Sequence, residues 1–258
     1  MRPRIAASRF LIRLGGLVGS MAVAWMRPPD LVEFNRRHAC IRVEDESMAC
    51  SEAVDLNLSK EEITLLKHFP SAKARIILFG NGREKQSLTR RGHDITRVGD
   101  LHLGEGAFEP GLQVLGKAQI PAGSAAAAKD YDVAWLGGIF YSKIPGRKIR
   151  VARLKQIGST LKPGGYLVCQ FLLDARGGRS SVSFLCKCLF AYMTLGNFRL
   201  QSGDAIREGR EFSHTFSSWN EFQDEIQAAG FEIVFSQAPP AAVYGGAIAR
   251  VNKSKRNT

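Results

Sequence analysis

The spacing of apolar residues changes near residue 75, and this change divides the chain into a helical first part and a mixed second part. In the first part, Ser59 and Glu62 have the spacing of a helix capping box, in which two side chains satisfy free backbone N–H groups. The apolar residues that follow, Ile63, Leu65, Leu66 and Phe69, have helical spacing and predict a helix that ends at Pro70.

Short apolar runs of strand length begin at residue 75. Arg75–Phe79 is typical of a strand buried on both faces, and Asp94–Val98 is a second predicted strand. Between them lie the glycine turn Gly80–Gly82 and a predicted helix over Arg83–Arg91. A strand, a turn, a helix and a second strand predict a βαβ unit, whose crossover is right-handed. Glycines let the backbone approach a ligand, and the helix N-terminus offers free N–H groups.

The same alternation of helices and strands continues through the second half of the chain. One helix is predicted over Arg147–Leu161, and another begins at a Ser218–Glu221 capping box and stops at Gly230. A sharp turn over Leu161–Gly165 precedes the next strand. The inward-facing positions of the first helix are Ile149, Leu154, Ile157 and Leu161. The predicted strands are Tyr131–Leu136, Tyr166–Leu173, Phe231–Phe235 and Tyr244–Val251.

Four motifs follow one another in order within residues 59–251: Gly80–Gly82, Tyr131–Val133, Leu161–Gly165 and Ala229–Phe231. Their order resembles the class I S-adenosylmethionine-dependent methyltransferase superfamily. The resemblance implies a Rossmann-like, doubly wound α/β fold with a seven-stranded sheet whose last strand runs antiparallel. The cofactor would bind at the carboxyl ends of the first strands. A nicotinamide enzyme is not favoured, because Lys85 stands where its third glycine would be.

This resemblance implies S-adenosylmethionine as the cofactor and assigns its contacts, in chain order, to Phe79, Gly80, Asn81, Gly82, Asp100, Leu101, Lys117, Ala118, Leu136 and Gly137. The first four would meet the methionine portion, and the next two the ribose and adenine. Lys117 and Ala118 would flank the adenine, and the last two would line the end of the fourth strand. Core packing alone would also account for Phe79, Leu101 and Leu136.

The chain departs from the family pattern around its glycine turn. Only Gly80 and Gly82 are present where the family has three glycines, and the preceding strand has no acidic residue. Gly99 stands where an acidic residue is expected, and Asp100 is next. A non-catalytic protein with the methyltransferase fold is therefore an alternative, because site chemistry rather than fold decides function.

Two residues are candidates for the chemistry of methyl transfer. His214 precedes the last predicted helix, in a segment that comes near the substrate mouth in similar small-molecule methyltransferases, and histidine titrates where a general base is useful. A histidine that only closes a loop is the alternative. Tyr141 is a second candidate, for orienting the substrate, and Glu84 is interpreted as a carboxylate that complements the dipole at a helix start. The five cysteines have irregular spacing, so neither a metal site nor a disulfide framework is expected.

The methyl acceptor is expected to bind between the sheet edge and an insertion over residues 174–201. The insertion opens with the cationic segment Arg176–Arg179 and continues as an apolar helix through Phe184–Met193. A hydrophobic cover of this kind favours a small organic or lipid-like acceptor. A lipid-contacting surface formed together with the N-terminal helix is the other interpretation.

Residues 1–58 are predicted to be a helical extension of a methyltransferase domain over residues 59–258. Met1–Arg9 is basic and Phe10–Met26 is mostly apolar, but Arg13 interrupts a span already short of the roughly 20 residues that cross a membrane. A helix packed on the domain is favoured over peripheral membrane contact, and both are favoured over a secretory signal. The expected location is cytoplasmic, with membrane association as the alternative.

The charge balance of the 258 residues favours anionic partners. The chain has 36 Lys and Arg against 24 Asp and Glu, a formal net charge of +12. An RNA methyltransferase is therefore a further alternative. Nucleic acid is not the favoured partner, because the cations are scattered along the chain. The segment Trp135–Gly138 also lacks the Asn/Asp-Pro-Pro-aromatic run of enzymes that methylate base nitrogens.

Overall fold

The computed structural model describes residues 19, 21–35, 58, 60–69, 73–80, 84–98, 131–174, 181–207, 211–237 and 243–252. The helices are α1 (21–25), α2 (28–35), α3 (Lys60–Lys67), α4 (Lys85–Arg90), α5 (Arg147–Thr160), α6 (Ser181–Met193) and α7 (Trp219–Ala228), with a 3-10 helix at Phe140–Lys143. The strands are β1 (Arg75–Phe79), β2 (Asp94–Val98), β3 (Tyr131–Leu136), β4 (Leu161–Leu173), β5 (Asp204–Arg207), β6 (Glu211–Phe216), β7 (Phe231–Gln237) and β8 (Tyr244–Val251).

The strands form a mixed sheet of the predicted class. β2, β1, β3 and β4 lie side by side in that order and run parallel. The last strand, β8, runs antiparallel between β4 and β7. A parallel sheet with a reversed final strand confirms the Rossmann-like architecture. The predicted third strand, around Lys117 and Ala118, lies outside the described residues.

The two faces of the sheet belong to two apolar cores. Along β1, Ile77 and Phe79 belong to one core and Ile76 and Leu78 to the other, as the twofold alternation of strand side chains requires. The first core is completed by α5 and α7, and the second contains Leu65 of α3 and Leu88 of α4. Burial on both faces explains why these parallel strands are almost wholly apolar in sequence.

The junction between α5 and β4 differs from the prediction. The helix ends at Thr160, and β4 includes the segment Leu161–Gly165 that was expected to be a turn. An irregularity between Tyr131 and Val133 shifts the β3–β4 register there. On α5, Leu154 and Ile157 are buried as predicted, whereas Ile149 is only partly buried and Arg150 is completely buried.

A hairpin that the pattern did not predict extends the sheet beyond β4. β5 and β6 pair antiparallel, and β6 joins the last two residues of β4 in parallel, with Leu172 opposite Thr215. His214 therefore lies on a strand and not in a loop. β6 has only six residues, five of them buried, and the three consecutive polar residues Ser213–Thr215 give no clear alternation of apolar and polar positions.

The helices before residue 36 pack against this hairpin. Val23 of α1, Leu31 of α2 and Phe212 of β6 form a third apolar cluster. The Asn35 amide donates to the Phe212 carbonyl at 3.1 Å and accepts from the Phe212 N–H at 2.7 Å. A domain boundary at residue 58 stays a prediction. Within the described ranges, no helix is long and apolar enough to span a membrane.

Candidate functional site

The carboxyl ends of β1 and β3 bring four of the predicted cofactor residues together. Phe79 is opposite Leu136 in the parallel register, and the N–H of Gly137 donates to the Phe79 carbonyl at 2.9 Å. Gly80 has a φ of +114°, which side chains with a Cβ rarely adopt. A Cβ on Gly80 would lie 3.4 Å from the Gly137 carbonyl oxygen. Glycine is therefore favoured here by its conformation, and the 3.4 Å distance shows that the two backbones approach closely.

The side chains at this edge differ in what they offer a ligand. Phe79 and Leu136 are buried in the first core, so they present mainly backbone. Glu84, immediately before α4, is completely buried. A Cβ on Gly137 would lie 2.6 Å from one Glu84 carboxyl oxygen and 2.7 Å from the other. Glu84 was predicted to complement the helix dipole, and the fold also places its carboxylate against β3.

A second buried carboxylate reaches the same strand end from α3. Glu62 is 1% exposed, and it accepts a hydrogen bond from the Gly138 N–H at 3.2 Å. Its predicted capping partner, Ser59, lies outside the described residues. Sequence reasoning missed this contact because an acidic residue in the first turn of a helix is typical of a cap. Two carboxylates from different helices therefore lie at the end of β3.

Six predicted cofactor residues cannot be placed in this geometry. Asn81, Gly82, Asp100, Leu101, Lys117 and Ala118 lie outside the described residues, and their roles stay predictions.

His214 lies in a buried cluster on β6. Its Nδ1 is 2.8 Å from the Asp204 carboxylate, and both side chains are 1% exposed. Its Nε2 is 3.5 Å from a Glu221 oxygen, and the Phe216 ring meets the imidazole edge-on. Burial acts to raise the pKa of Glu221, but bonds with His214 and Ser217 outweigh it and lower that pKa to about 2.

Tyr141 belongs to a second buried cluster, centred on Glu225 of α7. Its hydroxyl donates to one Glu225 oxygen at 2.6 Å, and Arg150 Nε donates to the same oxygen at 2.8 Å. Arg150 Nη2 donates to the other oxygen at 2.7 Å, and the side chains of Arg150 and Glu225 are both fully buried. Burial and the Glu225 carboxylate raise the pKa of Tyr141 well above its ordinary value, so the phenol stays protonated.

A hydrogen-bonded bridge joins the two clusters. Arg150 also donates to the Gln201 side chain at 2.9 Å, and the Gln201 N–H donates to Asp204 at 2.9 Å. The two residues predicted to be catalytic, Tyr141 and His214, therefore belong to one network that ties α5 and α7 to the β5–β6 hairpin. The network adjoins the strand edge, because Phe140, next to Tyr141, stacks on Phe79. Whether either residue is catalytic stays a prediction.

The part of the chain that the structure describes contains no group of three or more His, Cys, Asp or Glu residues that could hold a metal ion. Cys169, Cys186 and Cys188 are free cysteines. Burial raises the pKa of the Cys169 thiol, so this residue behaves as a small core side chain.

Comparison with solved structures identifies the fold. A SAM-dependent methyltransferase from Methanosarcina mazei is 17% identical, with a TM-score of 0.50 over 76% of this chain and 99% of that one. The 1,6-didemethyltoxoflavin-N1-methyltransferase of Burkholderia thailandensis, solved with that compound and S-adenosylhomocysteine, is 16% identical, with a TM-score of 0.51 over 86% of this chain and 88% of that one. No protein-family model and no curated protein matches the chain.

Proposed function

This chain has the class I S-adenosylmethionine-dependent methyltransferase fold, and we propose that it transfers a methyl group from S-adenosylmethionine to a small organic or lipid-like acceptor. One observation carries the proposal: the backbones of Gly80 and Gly137 meet at the carboxyl ends of β1 and β3, where such folds bind ligands. A cofactor with an extended, polar chain needs this kind of close backbone approach.

The buried carboxylates at this edge fit the charge of the proposed cofactor. S-Adenosylmethionine carries an α-ammonium and a sulfonium, and when bound it supplies the activated methyl group. Glu84 and Glu62 place negative charge at the end of β3, where a cation is stabilised strongly because the site is shielded from water. We propose that Glu84 compensates for the acidic residue that is missing from β1.

Methyl transfer needs little from the protein beyond positioning, which can supply on the order of 7–11 kcal/mol of the barrier. The chain would position the cofactor through Gly80, Gly137 and Glu84, and would hold the acceptor under the insertion that follows β4. A general base is optional: His214 is the candidate that the sequence predicts, but its imidazole is buried and paired with Asp204, which fits a positioning role better. The acceptor class is the sequence prediction from the insertion over residues 174–201, and the half-buried side of α6, with Phe184 and Phe190, is the side that could face an acceptor.

Titration calorimetry with S-adenosylmethionine and S-adenosylhomocysteine tests the cofactor. We expect saturable binding to the full chain and at least a tenfold loss in Gly80→Asp, because a side chain at φ +114° would strain the turn beside Gly137. Gly230→Asp is the matched control, since Gly230 also has a positive φ, +88°, but precedes β7 at the opposite edge of the sheet.

The control variant should bind the cofactor like the wild type, even if both variants melt at lower temperature. Absence of cofactor binding by the wild-type chain would contradict the proposal and favour a non-catalytic protein with this fold. If Gly80→Asp binds the cofactor with wild-type affinity, the cofactor site does not lie at Gly80.

A further inference from the structure

The outer surface of α6 is apolar where a surface helix is usually polar. Its exposed large apolar side chains are Val182 (70%), Leu185 (67%), Leu189 (61%), Tyr192 (72%) and Met193 (73%). Steps of three and four residues place them on one face of the helix. An amphipathic helix of a globular protein normally turns such a face toward the core. On this helix the apolar face points away from it.

The apolar face continues across the turn after α6 onto α1. Leu195, Phe198 and Trp25 are each 65% exposed. The Asn197 N–H donates to the Ala24 carbonyl at 2.7 Å, and a Cβ on Gly196 would collide with the same carbonyl oxygen. The end of α6 is therefore held against the end of α1. We call the eight exposed side chains of these two paragraphs the apolar surface.

Leu195 occupies an unusual backbone conformation within this surface. Its φ is +51°, and among the described residues it is the only non-glycine with a positive φ. The Gly196 N–H donates to the Ala191 carbonyl at 2.9 Å and closes the helix end, an arrangement that usually has glycine where Leu195 stands. A leucine held there with an exposed side chain points to a use outside this chain.

Most of the net positive charge of the protein comes from the two sequence segments that contain α1 and α6. Residues 1–29 contain five Arg, and residues 175–203 contain three Arg and one Lys; neither segment contains Asp or Glu. Together they hold nine of the 36 basic residues and none of the 24 acidic ones, which leaves 27 against 24 in the rest of the chain. Nine of the twelve net positive charges therefore come from these segments.

We propose that the apolar surface docks on an anionic lipid bilayer. Aliphatic side chains of α6 would enter the acyl boundary, while Trp25 and Tyr192 would lie at headgroup level, where amphipathic aromatic rings are favoured. Arg27, which donates to the Leu195 carbonyl at 3.3 Å, and the other basic residues of the two segments would neutralise anionic headgroups. The inference depends on this surface alone, so it holds or fails independently of the proposed methyl transfer.

Charge also distinguishes a bilayer from the other occupants of such a surface. A second copy would bring the same acid-free, cationic segments face to face, and like charges disfavour that contact. RNA would match the cations but would leave the aliphatic side chains of α6 exposed to water. An anionic bilayer satisfies both the charge and the apolar area.

Vesicle co-sedimentation of the full chain tests the proposal. We expect binding to phosphatidylcholine vesicles that contain about 30% phosphatidylglycerol, and at least tenfold weaker partitioning to phosphatidylcholine alone, because the cations need anionic headgroups. Leu185→Ser, Leu189→Ser and Tyr192→Ser in one variant should lower partitioning at least tenfold. The matched control replaces Val234, Val243 and Tyr244 by serine, because these residues are 48%, 51% and 42% exposed on β7 and in or next to β8.

Three outcomes would overturn the proposal. The wild-type protein could stay in the supernatant with anionic vesicles, or both triple-serine variants could lose vesicle binding equally. In the third, the protein would form a dimer through the apolar surface and would not bind vesicles. If circular dichroism shows that the α6 variant does not fold, the fluorescence of Trp25 in the wild-type protein tests the proposal. Brominated lipid should quench its emission, and the quenching should disappear in Trp25→Phe, because Trp135 is buried and Trp219 packs, partly buried, against the first core.

Discussion

At the scale of single residues, the buried pair of Arg150 and Glu225 holds three elements together. Two hydrogen bonds between them and one from Tyr141 satisfy both carboxylate oxygens. Burial acts to lower the pKa of Arg150, but the bonds to Glu225 outweigh it and raise that pKa, so the guanidinium stays charged. Removing one partner of such a pair leaves an uncompensated buried charge.

We predict that Glu225→Ala lowers the free energy of unfolding by about 3–5 kcal/mol, because Arg150 would stay buried without its carboxylate. Chemical denaturation at neutral pH measures the change. The control is Glu232→Ala, which removes the exposed partner of Arg250 and should cost less than about 1 kcal/mol. Similar losses in both variants would show that the buried network does not stabilise the fold in this way.

His214 and Tyr141 can act on the acceptor directly or by positioning. Both are buried, and their polar atoms face Asp204, Glu221 and Glu225. We therefore expect His214→Asn and Tyr141→Phe to keep kcat within about tenfold of wild type while unfolding more easily by about 1–2 kcal/mol. Steady-state kinetics over a pH range measure this. A loss of a hundredfold or more in kcat with an altered pH profile would show instead that the residue is catalytic.

At the scale of elements, the start of α7 combines a helix cap with a charge cluster. Ser218 accepts from the Glu221 N–H at 3.2 Å, as the capping-box spacing predicted. The Glu221 carboxylate, however, accepts from the N–H and the hydroxyl of Ser217, both at 2.8 Å, and lies near His214. The local pattern determined the cap, and the fold determined the partners of the carboxylate.

This cluster predicts that the free energy of unfolding decreases at acidic pH. The pKa of Glu221 falls from an ordinary value of 4.5 to about 2 in the folded chain, so its stabilisation is complete above pH 4.5 and is lost as pH falls toward 2. Glu221→Gln should unfold about 1–2 kcal/mol more easily near pH 7 and depend less on pH between 5 and 2. Urea denaturation at several pH values measures both, with Asp224→Asn, an exposed change on the same helix, as control. The same decrease in the free energy of unfolding between pH 5 and pH 2 in wild type and Glu221→Gln would show that Glu221 does not cause it.

At the scale of the whole molecule, the distribution of charge separates the two macromolecular partners that the sequence permits. A formal charge of +12 by itself favours RNA and anionic lipid equally. The exposed apolar surface favours lipid, since RNA offers no apolar phase for α6 to enter. The vesicle experiment therefore also tests the RNA alternative. RNA binding needs the cations but not the apolar side chains of α6, so only lipid binding should be lost when those side chains are replaced.

The sequence by itself determined the order of helices and strands along the chain and the bounds of β1, β2, β3 and β8. β1 and β3 are buried in the sheet, so they are apolar over their length, and glycines follow β1, β2 and β3 directly. It also located the edge at which Gly80 and Gly137 meet, because parallel strands end on one side of the sheet.

Only the tertiary structure decided the contacts between residues far apart in the chain. Arg150 and Glu225 are 75 positions apart, and Glu62 and Gly138 are 76 apart, so no local period indicates either pair. The apolar helix after β4 was predicted with two interpretations, a cover over the acceptor or a lipid-contacting surface, and only the structure shows that its apolar face is exposed. Hydrophobic spacing shows that a helix has an apolar face, and only the packing of the whole chain shows whether that face is covered.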